Sequence, residues 1–403
     1  MRSIKERLIL ISRFHLAIIV LLNIFSYSVL DASDILSIDS TKNQKDLTLY
    51  GFYQYGWILP TNQFVNGNNI NQMPISQYRA VSIQLSAQTS GNKLWEQLYN
   101  FPRYGFGLYK PFFPDAPYLG NPVAVYGTMG FALKRWESIS FNFDIGLGLA
   151  FNWKSYLEDK YNLAMGASES AIFSTTFSLE KRLVNGLRFY AGAGFVHFSN
   201  GSLKVPNLGI NVFTPKLGIG YNFTKPEQEY KYQVVPVYQK HSEIFISAFT
   251  GWRNILYYGS DVDSITQRKG VYYSCYGISA AFNYQVSHKS KFGIGVMADY
   301  LGYVNSSITS ENGKLVSHPA SFSDGFEISI YPSYELVMSR ASLVLQPCFY
   351  IYRAKYPERT PFNYQRIGLK YNITDDVSMG MYMRAHYWSI ADFIEWTIGY
   401  RIR

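Results

Sequence analysis

The chain has 403 residues, only 16% of them charged, and a mean hydropathy of −0.08; no run of about 18 apolar residues recurs after residue 32, which excludes an α-helical membrane protein. Its net charge of +9 falls to about +7 without residues 1–32 and is scattered along the chain, so a nucleic-acid-binding patch is not expected. Aromatic residues reach 17%, with 35 Tyr and 28 Phe, the enrichment that interfacial girdles and lipid-facing strands give a membrane barrel.

Residues 1–32 read as a secretory signal: a basic stretch from Arg2 to Arg13, an apolar run from Leu16 to Leu30, and small residues at Ser28 and Ala32. From residue 48 onward the pattern has period two. In 139–152, Ile139, Phe141, Phe143, Ile145, Leu147 and Leu149 share one face, and Ser140, Asn142, Asp144, Gly146 and Gly148 share the other. Eight such segments lie near 50–59, 79–88, 103–112, 122–135, 139–152, 171–182, 186–198 and 211–223. Eight more lie near 242–255, 272–287, 291–303, 322–338, 341–354, 362–372, 376–387 and 392–402. The expected fold is therefore all-β, an antiparallel transmembrane barrel of the bacterial outer membrane with about sixteen strands in two sets of eight. The sets are 48–224 and 242–403, divided by a polar linker at 225–241. Period and length leave open whether they close as tandem barrels or merge into one. Connections alternate short and long, and a periplasmic N-terminus places the loops at 153–170, 201–210 and 304–321 outside the cell.

One group of polar residues breaks the alternation. His197 and Ser199 share parity with Leu187, Phe189 and Phe195, and Asn211 shares parity with Phe213 and Leu217, so all three project toward lipid at the outer end of neighbouring strands. Polar groups placed there are expensive and are functional candidates, and a Ser beside a His is the minimum for an activated nucleophile. Residues 197–211 read His-Phe-Ser-Asn-Gly-Ser-Leu-Lys-Val-Pro-Asn-Leu-Gly-Ile-Asn. This string resembles the signature of the PagL family of lipid A 3-O-deacylases, His-x-Ser-Asn followed by Pro-Asn-x-Gly-x-Glu, in register at His197, Ser199, Asn200, Pro206, Asn207 and Gly209.

The resemblance, which covers the first half of the chain, implies an eight-stranded barrel that hydrolyses an ester-linked acyl chain of lipopolysaccharide without a cofactor. It implies Ser199 as nucleophile, His197 as its base, and the backbone N–H groups of Asn200 and Gly201 as the oxyanion hole. Asn207 is a candidate substrate-binding position, and so is Lys204, which by its place in the loop beside Ser199 is either a contact for a lipid A phosphate or a solvated loop lysine. The family's third member is a Glu, and here Asn211 stands in its place; Asn accepts an imidazole N–H but offers no charge to the imidazolium. The rival readings are a lipopolysaccharide-binding barrel without turnover and a passive porin, the latter requiring one wide sixteen-strand barrel. Homodimers are consistent with the family.

Outside the motif, Lys110 and Lys154 are further loop lysines, and Asp261 and Asp263 form a lone Asp-x-Asp. His386 and Glu395 share the inward parity of the last two strands, where a structural network is expected. No metal-binding spacing is present, and the sequence does not decide whether Cys275 and Cys348 pair.

Overall fold

The structure, a computed structural model, describes residues 46–224, 230–354 and 361–403; the expected signal segment lies outside them. Each apolar/polar alternation becomes a strand because lipid leaves no free backbone partner, and only ring closure satisfies every N–H and C=O. β1 (Asp46–Ile58), β2 (Gln77–Gln88), β3 (Arg103–Phe112), β4 (Gly120–Arg135), β5 (Ile139–Trp153), β6 (Ser170–Arg182), β7 (Leu187–Ser199) and β8 (Ile210–Asn222) close one antiparallel barrel. β9 (His241–Ile255), β10 (Val271–Gln285) and β11 (Ser290–Leu301) begin a second, which β14 (Phe326–Met338), β15 (Ala341–Arg353), β16 (Asn363–Asn372), β17 (Val377–His386) and β18 (Ile390–Ile402) complete. The two eights thus close separately. Between β11 and β14, the expected loop 304–321 holds a hairpin of β12 (Ser307–Glu311) and β13 (Lys314–His318), which alternation did not reveal.

The first barrel is strongly sheared. Following paired residues from Phe189 through Ile219, Gly51, Ile83, Leu108, Val125, Leu149 and Ala171 returns to β7 at Ser199, ten residues further along the strand. The interior is too narrow for a water-filled channel and is filled by side chains. Arg103 lies between Asp144, at 2.9 Å, and Glu180, which also meets Arg188 at 3.0 Å and the Tyr50 hydroxyl at 2.9 Å. Asp144 and Glu180 therefore face inward, as their parity requires. In the second barrel Arg384 bonds Glu327 at 2.8 Å and Asp299, Arg366 bonds Glu395 at 2.6 Å, and Lys370 bonds Glu335 at 2.6 Å. A charge this deeply buried persists only when paired. His386 faces Asp392, 3.5 Å away, rather than Glu395. Cys275 and Cys348 are buried and unlinked.

The outer walls differ in what covers them. Outward side chains on β1 and β2 are open, with Trp57 51% and Ile83 59% exposed. On β5 the outward Phe141, Phe143, Ile145, Leu147 and Leu149 are all half-buried, and so are Ile367, Leu369, Met379, Met381 and Met383 on β16 and β17. Contacts join the barrels at both ends of these walls. Tyr99 donates to the Val337 carbonyl at 2.7 Å, and at the opposite end Ser202 donates to the Ala391 carbonyl at 2.7 Å. The described part of the linker is docked as well: Tyr230 packs on Phe101 with tilted rings and Tyr232 meets it edge to face, and the Lys231 N–H reaches the Ser90 carbonyl at 2.8 Å.

Candidate active site

β7 and β8 pair in register at His197↔Asn211, so the two side chains leave the sheet on the same outward face as directly opposed neighbours. His197 Nδ1 lies 2.6 Å from Asn211 Oδ1. The Asn211 Nδ2 donates to Thr61 Oγ1 at 2.7 Å, which fixes the amide with its oxygen toward the imidazole. An oxygen acceptor requires Nδ1 to carry the proton, leaving the Nε2 lone pair free to act as a base. Ser199, two residues further, projects on the same face at the end of β7 and is paired with Ala171 of β6.

The chain then turns through 200–209 and returns as β8. Gly209 has φ +68°, and a Cβ there would come within 2.9 Å of the Phe198 carbonyl and 3.3 Å of the His197 ring, so only glycine lets the loop re-enter so close to the imidazole. Asn62, on the loop after β1, holds this return by donating to the carbonyls of Leu208 and Gly209, both at 3.1 Å. The N–H groups of Leu208 and Gly209 reach the carbonyls of Leu163 and Ala164 at 3.2 Å.

Ser199 Oγ accepts from two donors and lies 3.2 Å from Asn207 Oδ1, to which its hydroxyl can donate. The Gly201 N–H donates to Oγ at 3.1 Å and Asn207 Nδ2 at 2.8 Å. The Asn200 N–H is directed to Asn207 Oδ1 at 2.9 Å, and the Asn200 side chain bonds the Lys204 carbonyl at 2.8 Å. Among the described hydrogen bonds, Ser199 is joined to Asn207 and Gly201 and not to His197. Asn207 therefore stands between the candidate nucleophile and one of the two expected oxyanion amides.

Lys204 does not extend over the site. Its Nζ bonds the Lys269 carbonyl of the second barrel and lies 5.6 Å from the Tyr272 ring centroid. Burial, with the nearby Lys269 charge, lowers its pKa to about 8. Lys110 is bound to Asn121 and to the Pro122 carbonyl, and Lys154 to Asp159 at 3.7 Å. Asp263 caps the short helix Ser264–Lys269, and Asp261 accepts the Tyr257 hydroxyl at 2.8 Å, so both carboxylates are used locally.

Thr61 and Asn62 were not singled out from the sequence. Their only local signal is the Pro-Thr-Asn string that ends β1, which reads as a turn. Below the site, the lipid-facing wall carries an apolar groove of about 680 Å³ along β8, β1, β2 and β3, lined by Gly51, Tyr53, Ile83, Leu108, Leu217 and Ile219. Gly51 opens it, since a Cβ there would meet no atom within 4 Å.

In comparisons with known proteins, residues 80–222 match the family profile described as lipid A 3-O-deacylase (PagL), and residues 242–403 match acyloxyacyl hydrolase, C-terminal domain. No curated protein matches. Among solved structures, a crystal structure of the outer membrane enzyme PagL is 16% identical, with 42% of this chain and 97% of that one covered and a TM-score of 0.29. A porin of Rhodopseudomonas blastica is 8% identical over 89% of this chain and 100% of its own, with a TM-score of 0.16. The toluene transporter TodX of Pseudomonas putida is also 8% identical, over 92% of each chain, with a TM-score of 0.17.

Proposed function

Since its two barrels are matched by the two profiles of one family, the chain belongs to the PagL family of lipid A 3-O-deacylases of the bacterial outer membrane, and we propose that it is a serine esterase acting in the outer leaflet. The observation that carries this reading is the 2.6 Å bond from His197 Nδ1 to Asn211 Oδ1, which leaves Nε2 basic on the face that bears Ser199.

In the proposed reaction His197 Nε2 takes the Ser199 hydroxyl proton as Oγ bonds to the acyl carbonyl carbon of lipid A. The carbonyl π electrons move to oxygen, and the Gly201 N–H, already directed at Oγ, meets the negative charge. The Asn200 N–H joins it when the Asn207 side chain yields its place. The tetrahedral centre collapses, the bond from the acyl carbon to the sugar oxygen breaks, and the imidazolium gives its proton to that departing oxygen, which leaves as a hydroxyl. Water, deprotonated by the same imidazole, then releases the fatty acid and restores Ser199. Asn211 holds the tautomer through both halves and supplies no charge, an arrangement with precedent in Cys-His-Asn proteases. The apolar groove on the β8–β1–β2–β3 wall offers acyl chains a path away from the wall that the second barrel covers.

A second reading, lipopolysaccharide binding without turnover, draws on the bonding of Ser199 to Asn207 rather than to His197. A fluorophosphonate separates the two. Stoichiometric labelling of Ser199 in the full chain, lost in His197→Ala, is the expected result; an unlabelled Ser199 in the wild type would favour binding alone.

A further inference from the structure

The loop bearing the candidate oxyanion amides takes several of its contacts from the other barrel. Ser202 Oγ donates to the Ala391 carbonyl at 2.7 Å, and the Val205 N–H donates to Asn254 Oδ1 at 3.3 Å. Lys204 bonds the Lys269 carbonyl. Ile394 lies against Gly201 so closely that a Cβ on that glycine would sit 2.7 Å from its Cδ1.

These second-barrel groups are themselves fixed. Asn254 is fully buried, and its Nδ2 donates to the carbonyls of Lys269 and Val271 at 3.2 and 3.1 Å, so its oxygen has a set direction toward the loop. A register shift in the β17–β18 ladder, between Arg384 and Ala385, precedes the paired run that holds Ile394. Phe393 packs into the second core and Glu395 bonds Arg366 in the lumen, so Ile394 between them faces outward, toward the first barrel.

The loop needs such support. Gly201 and Ser202 both have φ +60°, and for serine this left-handed conformation is unfavourable unless its surroundings hold it. The Ala391 carbonyl on Ser202 Oγ and Ile394 on Gly201 act on those two residues, and the Gly201 N–H is the donor already aimed at Ser199 Oγ.

We propose that the second barrel is a built-in template for the catalytic loop, with Ile394 and Asn254 as positioning residues that set the Gly201 N–H against the nucleophile. This rests on the serine-esterase reading above. Neither residue touches the reacting atoms, and each acts through the loop. A donor displaced by part of an ångström loses transition-state stabilisation while ground-state binding in the lipid groove is untouched, so the loss falls on kcat.

The test uses the full chain in detergent micelles, with Ile394→Ala, Ile394→Val and Asn254→Ala. Acyl release from lipid A gives kcat and KM, fluorophosphonate gives the labelling rate of Ser199, and heat-modifiable gel mobility reports closed barrels. Ile394→Ala and Asn254→Ala should each lower kcat and the labelling rate about tenfold, with KM within about twofold and the barrels intact. Ile394→Val, which loses the Cδ1 methyl nearest Gly201 but keeps the Cγ1 behind it, should recover part of the rate. Unchanged kcat in the two alanine variants, a change confined to KM, or an equal loss in Ile394→Val would overturn the template. Failure of the underlying reading has a different signature: a wild type that neither releases acyl chains nor is labelled at Ser199, which would remove the template with it.

Discussion

The two barrels of this chain are built alike and use their outer faces differently. Both close eight antiparallel strands, and both fill the lumen with paired charges, Arg103 between Asp144 and Glu180 in the first and Arg384 between Asp299 and Glu327 in the second. On the outside, the first barrel places His197, Ser199 and Asn211 at the end of β7 and β8, whereas the second presents Met379, Met381 and Met383 on β17. Inward polarity satisfies the scaffold; outward polarity has no structural use in lipid, and that is where chemistry is to be sought. On the proposed reading the halves have unequal tasks, one carrying the candidate reacting groups and the other covering a wall beside them.

Substitutions can break or sharpen this contrast. The largest effect on activity is expected for Ser199→Ala, which should lower acyl release by about 10³-fold or more with the barrel intact, and His197→Ala should follow closely, since such groups act as a unit. Comparable activity in either variant would erase the distinction between the outer faces. Replacing Asn211 by Leu removes the acceptor that orients the imidazole and should cost about 10²-fold, while Asn211→Glu, which adds a charge facing the imidazolium, should preserve or raise kcat. A sharp loss in Asn211→Glu would mean that the amide bond to Thr61 is indispensable.

In the lumen the expectation reverses. Arg384→Met strands Asp299 and Glu327 and should destabilise the second barrel by about 3–5 kcal/mol in denaturant titration, with little effect on Ser199 labelling wherever the protein is folded. The smallest effect concerns pH. Because burial lowers the Lys204 pKa to about 8, below that of the unfolded chain, the folded protein loses this proton first. Stability should therefore rise modestly from about pH 8 toward 10, as the penalty present at lower pH is relieved. Thermal melts of Lys204→Met should lack that rise.

The barrel architecture was legible because lipid on one side and a packed lumen on the other impose strict period two. Strands from Arg103–Phe112 to Ile139–Trp153 fall within two residues of their expected bounds. Separate closure was not legible, since hydrogen-bond partners between first and last strands leave no local mark; nor was the β12–β13 hairpin, too short and polar to show alternation. At the site, parity alone grouped His197, Ser199 and Asn211, and the fifteen-residue string supplied the roles. Thr61, Asn62, Asn254 and Ile394 stayed hidden because each reaches the site across the fold, from loops and strands whose own pattern is satisfied locally. Lys204 looked free in the sequence for the same reason: its partner, the Lys269 carbonyl, belongs to the other barrel.

Mass spectrometry of lipid A incubated in detergent with the full chain and with Ser199→Ala decides whether Ser199 hydrolyses an acyl ester of lipid A. Loss of one hydroxyacyl chain is expected with the wild type alone. An unchanged lipid A mass with both proteins, on a substrate that a known deacylase does cleave, would contradict that role for Ser199.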